Sequence, residues 1–243
     1  CEIFGKGLNG YTYKNNLTLN AGNSGTLGRL ILGLLVHSKK KIRLIGDKSL
    51  SKRDFSRVTN PLKKFGAKFI SDKKGKLPLS ILGSESAMPI NYFESRGSAQ
   101  CKSSVMLAAL NTEGVTSIKA KKSRNHTEIF FKNLNIPIKI KKTKSFDFIK
   151  VKGGKKIKTL NYNIPADISS SSFFIILTAL SDNSKLLIKN VNINPSRTGI
   201  IKILKKMGVE ILIKNKKNYK GELIADIFVK SSKNLKAINC PSY

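Results

Sequence analysis

Apolar residues along this chain change their period in a fixed order. Between Leu27 and Leu35 they fall at Leu27, Leu30, Ile31, Leu34 and Leu35, the three- and four-residue steps of one helical stripe. "KIRLIG" (Lys41 to Gly46) then alternates over the length of a strand. Phe55, Val58, Leu62 and Phe65 return to helical spacing. The order recurs downstream, where Cys101, Val105, Ala108 and Ala109 predict a helix, "VTSIKA" (Val115 to Ala120) a strand, and Ile129, Phe130 and Leu134 a second helix. The last copy has "FFIILTAL" (Phe173 to Leu180), then "KLLIKN" (Lys185 to Asn190), then Ile200, Leu204 and Met207. "FFIILTAL" is apolar nearly all round, which predicts a helix buried on every side.

Local signals punctuate the copies at matching places. "LKKFGAKF" from Leu62 and "LKKMGVEI" from Leu204 lie 142 residues apart, with "FKNLNIPI" from Phe131 between them. Gly66, Asn135 and Gly208 in these stretches tolerate the left-handed conformation that ends a helix, so all three are expected as C-caps. The first helices are expected to start near Ser24, Ser98 and Ser169. Each copy has a loop arginine, Arg53, Arg124 and Arg197, at spacings of 71 and 73 residues. The pattern predicts three copies of one α/β unit of about seventy residues. Pro61 stands inside one predicted helix and should kink it. Residues 71–92 read as turns and short strands, and residues 151–165, with Gly-Gly and a final Pro, suit a crossover. A first domain is therefore expected at 1–165 and the start of a second at 166–243.

With 243 residues and 40% apolar content the chain can bury real cores. No apolar run approaches the ~20 residues that span a bilayer, so no membrane helix is expected. The net charge of +32 is large, yet only seven of the 46 basic residues are Arg, and the lysines are scattered among Asn and Ile. That reads as compositional drift. Nucleic-acid binders cluster their charge and interleave aromatics, so no nucleic-acid partner is expected, although a positive field attracts small anions. Cys1, Cys101 and Cys240 are an odd set without metal-ligand spacing, which suits a reduced cytoplasmic protein. Cys101, on an apolar helix face, reads as packing. The chain starts at Cys1 without a signal-like segment, and is read as part of a longer protein.

Candidate chemistry sits where the first helices begin. Four backbone N–H groups lack partners at such an end, and the helix dipole adds to their pull on an anion. In "GNSGT" (Gly22 to Thr26), Gly25 would let an oxyanion approach the backbone, although Ser and Asn before a helix are also ordinary caps. "SAQCKS" puts Ser98 and Lys102 one turn apart, either as a site or as a cap followed by a solvated lysine. "KSRNHTE" places Arg124 before a helix, with His126 read as a structural histidine. Asp167 in "ADISSSSFF" reads as an N-cap. No nucleotide loop, metal cluster or Ser-His-Asp set is present in the pattern. Helix N-termini and loop arginines together point to a phosphate- or carboxylate-bearing ligand.

These stretches resemble one family in order and spacing. "NAGNSGTLGRL", "GDKSLSKRDFSRV", "GSAQCKSSVMLAAL", "SRNHTEIF", "DISSSSFF" and "NPSRTGI" are similar to segments of 5-enolpyruvylshikimate-3-phosphate synthases and cover nearly the whole chain. The resemblance implies an α/β fold, an enolpyruvyl transferase-like inside-out α/β barrel of repeated βαβαββ units. It also implies two domains, the second incomplete here, with residues 1–23 closing an earlier unit. The implied reaction transfers the enolpyruvyl group of phosphoenolpyruvate to the 5-hydroxyl of shikimate 3-phosphate and releases phosphate. No metal or organic cofactor is implied, and the full-length enzyme is expected as a monomer. Asn23, Gly25, Thr26, Arg53 and Gln100 resemble the phosphoenolpyruvate-binding set, with Arg29 as support. Ser98, Ala99, Gln100 and Arg124 resemble the shikimate-3-phosphate contacts. The family's catalytic carboxylates fall outside the chain, so none is assigned, and the chain alone is expected to be inactive. Asp54 stands where the family usually has Pro, and its carboxylate is expected to compete for Arg53. A different enolpyruvyl acceptor, or a basic nucleic-acid-binding module, is the alternative.

Overall fold

The computed structural model describes residues 2–8, 10 and 12–240. Cys1 lies outside them, Cys101 is buried as a packing residue, and Cys240 is exposed. The first repeat runs β1 (Leu17–Asn20), α1 (Gly25–Leu34), β2 (Ile42–Ile45), α2 (Ser56–Lys64), β3 (Lys68–Ser71) and β4 (Leu79–Leu82). The second runs β5 (Asn91–Glu94), α3 (Ala99–Ala109), β6 (Val115–Lys121), α4 (His126–Asn133), β7 (Ile138–Lys142) and β8 (Phe146–Lys152). The third runs α5 (Ile168–Leu180), β9 (Lys185–Asn192), α6 (Gly199–Lys206), β10 (Ile211–Tyr219) and β11 (Glu222–Lys230).

Sheet topology repeats with the elements. The first sheet has the order β1-β2-β4-β3 and the second β5-β6-β8-β7, each with its first pair parallel and the others antiparallel. The third has the order β10-β11-β9, and Ala166 bridges Val191 in parallel where the other repeats have their first strand. Three βαβαββ copies are thus present, the last with its first strand reduced to one bridge. Because β1 pairs with β2, residues 17–20 open the first repeat and do not close an earlier one.

The three predicted C-caps hold. Gly66, Asn135 and Gly208 have φ of +107°, +53° and +98°. Helix α2 runs Ser56–Lys64 with Pro61 inside it, at the position where a kink was expected. A proline in so short a helix removes one backbone hydrogen bond, and burial of Val58, Leu62 and Phe65 holds the turn around it.

The described residues form two compact units, one containing residues up to Ser123 with Phe131–Thr159, the other Arg124–Phe130 with the residues from Leu160. In the first unit one core serves two repeats, with Leu32, Leu44, Phe55, Phe65, Val105 and Phe131 all closed to solvent. The expected leucine stripe of α1 holds at Ile31, Leu34 and Leu35, which pack on this core, and fails at its first member. Leu27 is exposed, while Gly25, Gly28, Leu32 and Gly33 are the buried positions. The reason is the closeness of the neighbours. A Cβ on Gly33 would lie 2.2 Å from the Ser104 carbonyl oxygen of α3, and one on Gly28 would lie 3.3 Å from the Phe55 ring.

The second unit packs α5 and α6 on the sheet through Ile168, Ile175, Val191, Ile201, Leu204 and Ile227. The expectation that Phe173–Leu180 is buried on every side is also corrected. Ile175 and Ala179 face the core, whereas Phe173, Phe174, Leu177 and Leu180 are exposed. Within this unit only one side of α5 has a sheet to meet. No helix among the described residues is long and apolar enough to cross a membrane.

Candidate active site

Three helix starts were expected to carry the chemistry, and the first is built from two loops. Ser24 caps α1 by accepting from Leu27 N–H at 3.1 Å. Asn23 Nδ2 donates to Asp47 Oδ2 at 2.5 Å. Asp47 also accepts from Leu50 N–H at 2.6 Å, and its own N–H donates to Gly22 O. The Asn23 hydrogen bond, with that of Leu50, holds the Asp47 carboxyl below its ordinary range. Asn23 therefore ties the α1 entry to the loop carrying Arg53.

Gly25, the first residue of α1, is buried beneath two guanidinium groups. A Cβ there would lie 2.8 Å from Arg29 Nη1 and 3.0 Å from Arg53 Nη1. Arg29 Nη1 donates to Gln100 Oε1 at 2.7 Å and reaches Gly25 O at 3.4 Å, and the guanidinium lies over the Phe55 ring. Burial lowers the Arg29 pKa, as do the charges of Arg53 and Arg57, against an opposing contribution from Cys101. Asp54 accepts from Ser56 N–H at 2.7 Å at the start of α2, and hydrogen bonding from the Ser56 side chain, then from this N–H, keeps its carboxyl below the ordinary range. The expected competition for Arg53 does not arise. Among the described residues no carboxylate lies within ion-pair distance of Arg53.

The second helix start meets the first. Ser98 caps α3, accepting from Cys101 N–H, with Ala99 and Gln100 in the opening turn. Gln100 Nε2 donates to Thr26 Oγ1 at 2.8 Å, so the N-termini of α1 and α3 share one corner. The buried Glu94 holds the approach to α3 by accepting from Ser98 N–H at 2.8 Å, with Arg57 3.7 Å away. Lys102 is fully buried, which corrects the solvated-lysine reading. Arg124 is exposed in the loop before α4 and belongs to the segment that groups with the second unit.

The third start supplies an internal comparison. Asp167 caps α5, accepting from Ser170 N–H, and Arg197 Nη2 donates to Asp167 Oδ1 at 2.7 Å and to Ser169 Oγ. In this copy the loop arginine meets a carboxylate of its own chain at the helix end.

His126 and Glu222 form the other polar cluster. His126 Nδ1 and Glu222 Oε1 lie 2.6 Å apart, and Asn194 Nδ2 donates both to Glu222 Oε2 at 3.1 Å and to Asn125 Oδ1 at 2.9 Å. This makes His126 a structural anchor for the segment carrying Arg124. Burial alone would raise the Glu222 pKa, but hydrogen bonds from His126 and Asn194 outweigh it and the net shift is downward. A carboxyl lowered on folding stabilises the fold above its unfolded value of 4.5 and loses that contribution as pH falls through the lower folded value. Acid unfolding of the second unit as pH falls below 4.5 should accordingly be blunted in Glu222→Gln. Coincident acid transitions followed by circular dichroism for both proteins would show that Glu222 contributes nothing.

Sequence reasoning missed Asp47 and Glu94 and underrated Arg29. Asp47 stands three residues before Leu50 and Glu94 four before Ser98, which are usable capping distances. Among the described residues no group of three or more His, Cys, Asp or Glu could hold a metal ion.

Comparison with known proteins agrees with this geometry. The family profile of EPSP synthase (3-phosphoshikimate 1-carboxyvinyltransferase) matches residues 2–241. The 3-phosphoshikimate 1-carboxyvinyltransferase of Hydrogenovibrio crunogenus is 42% identical over 98% of this chain and 54% of its own length. That of Ruthia magnifica is 43% identical over the same shares. The solved EPSP synthase of Acinetobacter baumannii superposes with a TM-score of 0.81 at 38% identity, covering 98% of this chain and 53% of that one. The chain spans about half the length of the curated relatives it matches. On family profile, identity and superposition together, this chain belongs to the EPSP synthase (3-phosphoshikimate 1-carboxyvinyltransferase) family.

Proposed function

We propose that this chain carries the phosphoenolpyruvate corner, and part of the shikimate-3-phosphate site, of a 3-phosphoshikimate 1-carboxyvinyltransferase. In that reaction the acceptor's 5-hydroxyl loses its proton and its oxygen bonds to C2 of phosphoenolpyruvate, while the C2–C3 π bond opens and its electron pair takes a proton at C3. Loss of phosphate from C2 and of a proton from C3 then restores the enol double bond. The observation that carries the reading is the meeting of Gly25, Thr26, Arg53 and Gln100 at two adjoining helix N-termini. Every group offered there to a ligand can donate a hydrogen bond, and Arg53 adds a full charge. The third repeat supports the chemistry, because the equivalent loop arginine binds the Asp167 carboxylate at the equivalent helix end. Ser98, Ala99 and Gln100 would meet the acceptor phosphate and ring hydroxyls, with Arg124 as a further cation. No acid or base of the reaction is assigned to this chain. The reading carries with it a cytoplasmic location and a monomeric full-length enzyme.

Calorimetric titration of the chain with phosphoenolpyruvate and with shikimate 3-phosphate tests it. Arg53→Ala is expected to cost about 1.5–3 kcal/mol of phosphoenolpyruvate binding, roughly 10- to 150-fold in Kd, the scale of a charged hydrogen bond. Equal affinity in both proteins would remove Arg53 from the site. Preference for random DNA over either ligand, with steep salt dependence, would favour the nucleic-acid alternative.

A further inference from the structure

We infer that Arg29 is a positioning residue that locks the Gln100 side-chain amide with its N–H face toward the bound anion. This rests on the phosphoenolpyruvate reading of the α1–α3 corner. The two ends of an amide have the same shape, so neighbours decide which way it points. A guanidinium has donors and no acceptor. The Gln100 atom 2.7 Å from Arg29 Nη1 must therefore be Oε1, which leaves Nε2 to donate to Thr26 Oγ1 at 2.8 Å. One Nε2–H then remains, and the Thr26 hydroxyl, already accepting, keeps its own proton to give. Both are donors, as an anion requires.

Arg29 is itself held from several sides. Its guanidinium reaches Gly25 O at 3.4 Å and lies 5.4 Å from the centroid of the fully buried Phe55 ring. Its backbone carbonyl accepts from Ser104 Oγ of α3 at 2.9 Å, which fixes the helix turn beneath it. Without a donor at this place, Gln100 can turn its amide over and present Oε1 to the ligand, where a lone pair repels an oxyanion. Arg29 thus acts through Gln100. Gly25 has a second reason to lack a side chain, because a Cβ there would meet the locking guanidinium before it met any ligand.

Titration of the 15N-labelled chain with phosphoenolpyruvate, followed by NMR at the Gln100 side-chain NH2 pair and the Gly25 backbone N–H, tests the assignment. In the wild-type chain both signals are expected to move with one Kd. Arg29→Met removes the donor at similar volume and should raise Kd about tenfold, with loss of the separate Gln100 proton response. Arg29→Lys keeps a donor facing Oε1 and should restore most of the affinity and the Gln100 signature. Gln100→Glu leaves Arg29 in place and replaces the donor by a second acceptor, so its Kd should rise at least as far as that of Arg29→Met. An unchanged Gln100 response in Arg29→Met, or retained affinity in Gln100→Glu, overturns the locking role and leaves the anion corner standing. No response of Gly25 in the wild-type chain overturns the corner reading, and this inference with it.

Discussion

Gly33→Ala is expected to destabilise the first unit by about 3 kcal/mol, the upper end of the overpacking range. Two effects oppose each other at this position. Alanine is the better helix former by about 1 kcal/mol, which alone would make the substitution favourable. Against this, the new methyl carbon would lie 2.2 Å from the Ser104 carbonyl oxygen and 3.0 Å from its carbonyl carbon. Those atoms are backbone within α3, so no rotamer change relieves the clash. Separating the helices would stretch the Ser104 Oγ hydrogen bond to Arg29 O and move Gln100 from Thr26. The clash therefore outweighs propensity. Urea denaturation checks the sign, and a midpoint equal to or above that of the wild-type chain would refute the close approach of α1 and α3.

Glu222→Ala is expected to destabilise the second unit. The side chain is nearly closed to solvent and accepts from Asn194 Nδ2 while pairing with His126. Removing this buried acceptor leaves the donors of Asn194 and His126 without it, at a cost of about 1–3 kcal/mol. The His126 side chain keeps 34% of its exposure and can rehydrate, so most of the cost falls on Asn194. The loss should be local first. Residues 124–130 are held to this unit by Asn125 and His126, so they are expected to become the earliest proteolytic site of the variant. An unaltered cleavage pattern together with an unaltered denaturation midpoint would exclude this anchoring role.

Much of the architecture was readable because it depends on neighbours in sequence. Gly66, Asn135 and Gly208 end their helices by backbone conformation, and Ser24, Ser98 and Asp167 begin theirs by a bond to a residue three positions on. Both are local requirements, and the seventy-residue spacing repeats them. The helix faces were less readable. Apolar spacing finds a stripe that meets side chains, but α1 meets α3 at backbone distance, where only glycine fits, so Leu27 points outward instead. For α5 a composition apolar all round said nothing about how much partner surface the described residues supply. Among the site residues, Gly25, Arg53 and Gln100 were found through motif and resemblance. The work of Arg29 depends on Gln100, 71 residues along the chain, and a lone polar residue carries no mark of such a partner. Asp47 and Glu94 bond backbone N–H groups three and four residues ahead, a local signal that was present but shared with many ordinary loop residues.

The Asp167–Arg197 pair has a consequence for how the repeats sense their surroundings. Anything that binds the folded state alone stabilises it in proportion to its concentration over Kd. The third repeat has its counter-ion covalently supplied, at an effective concentration set by the chain and indifferent to the medium. On the proposed reading the first repeat leaves that role to an anion bound at Arg53, so its stability is expected to rise with ligand concentration. A single aspartate thus makes the third copy self-sufficient and, on that reading, leaves the first responsive.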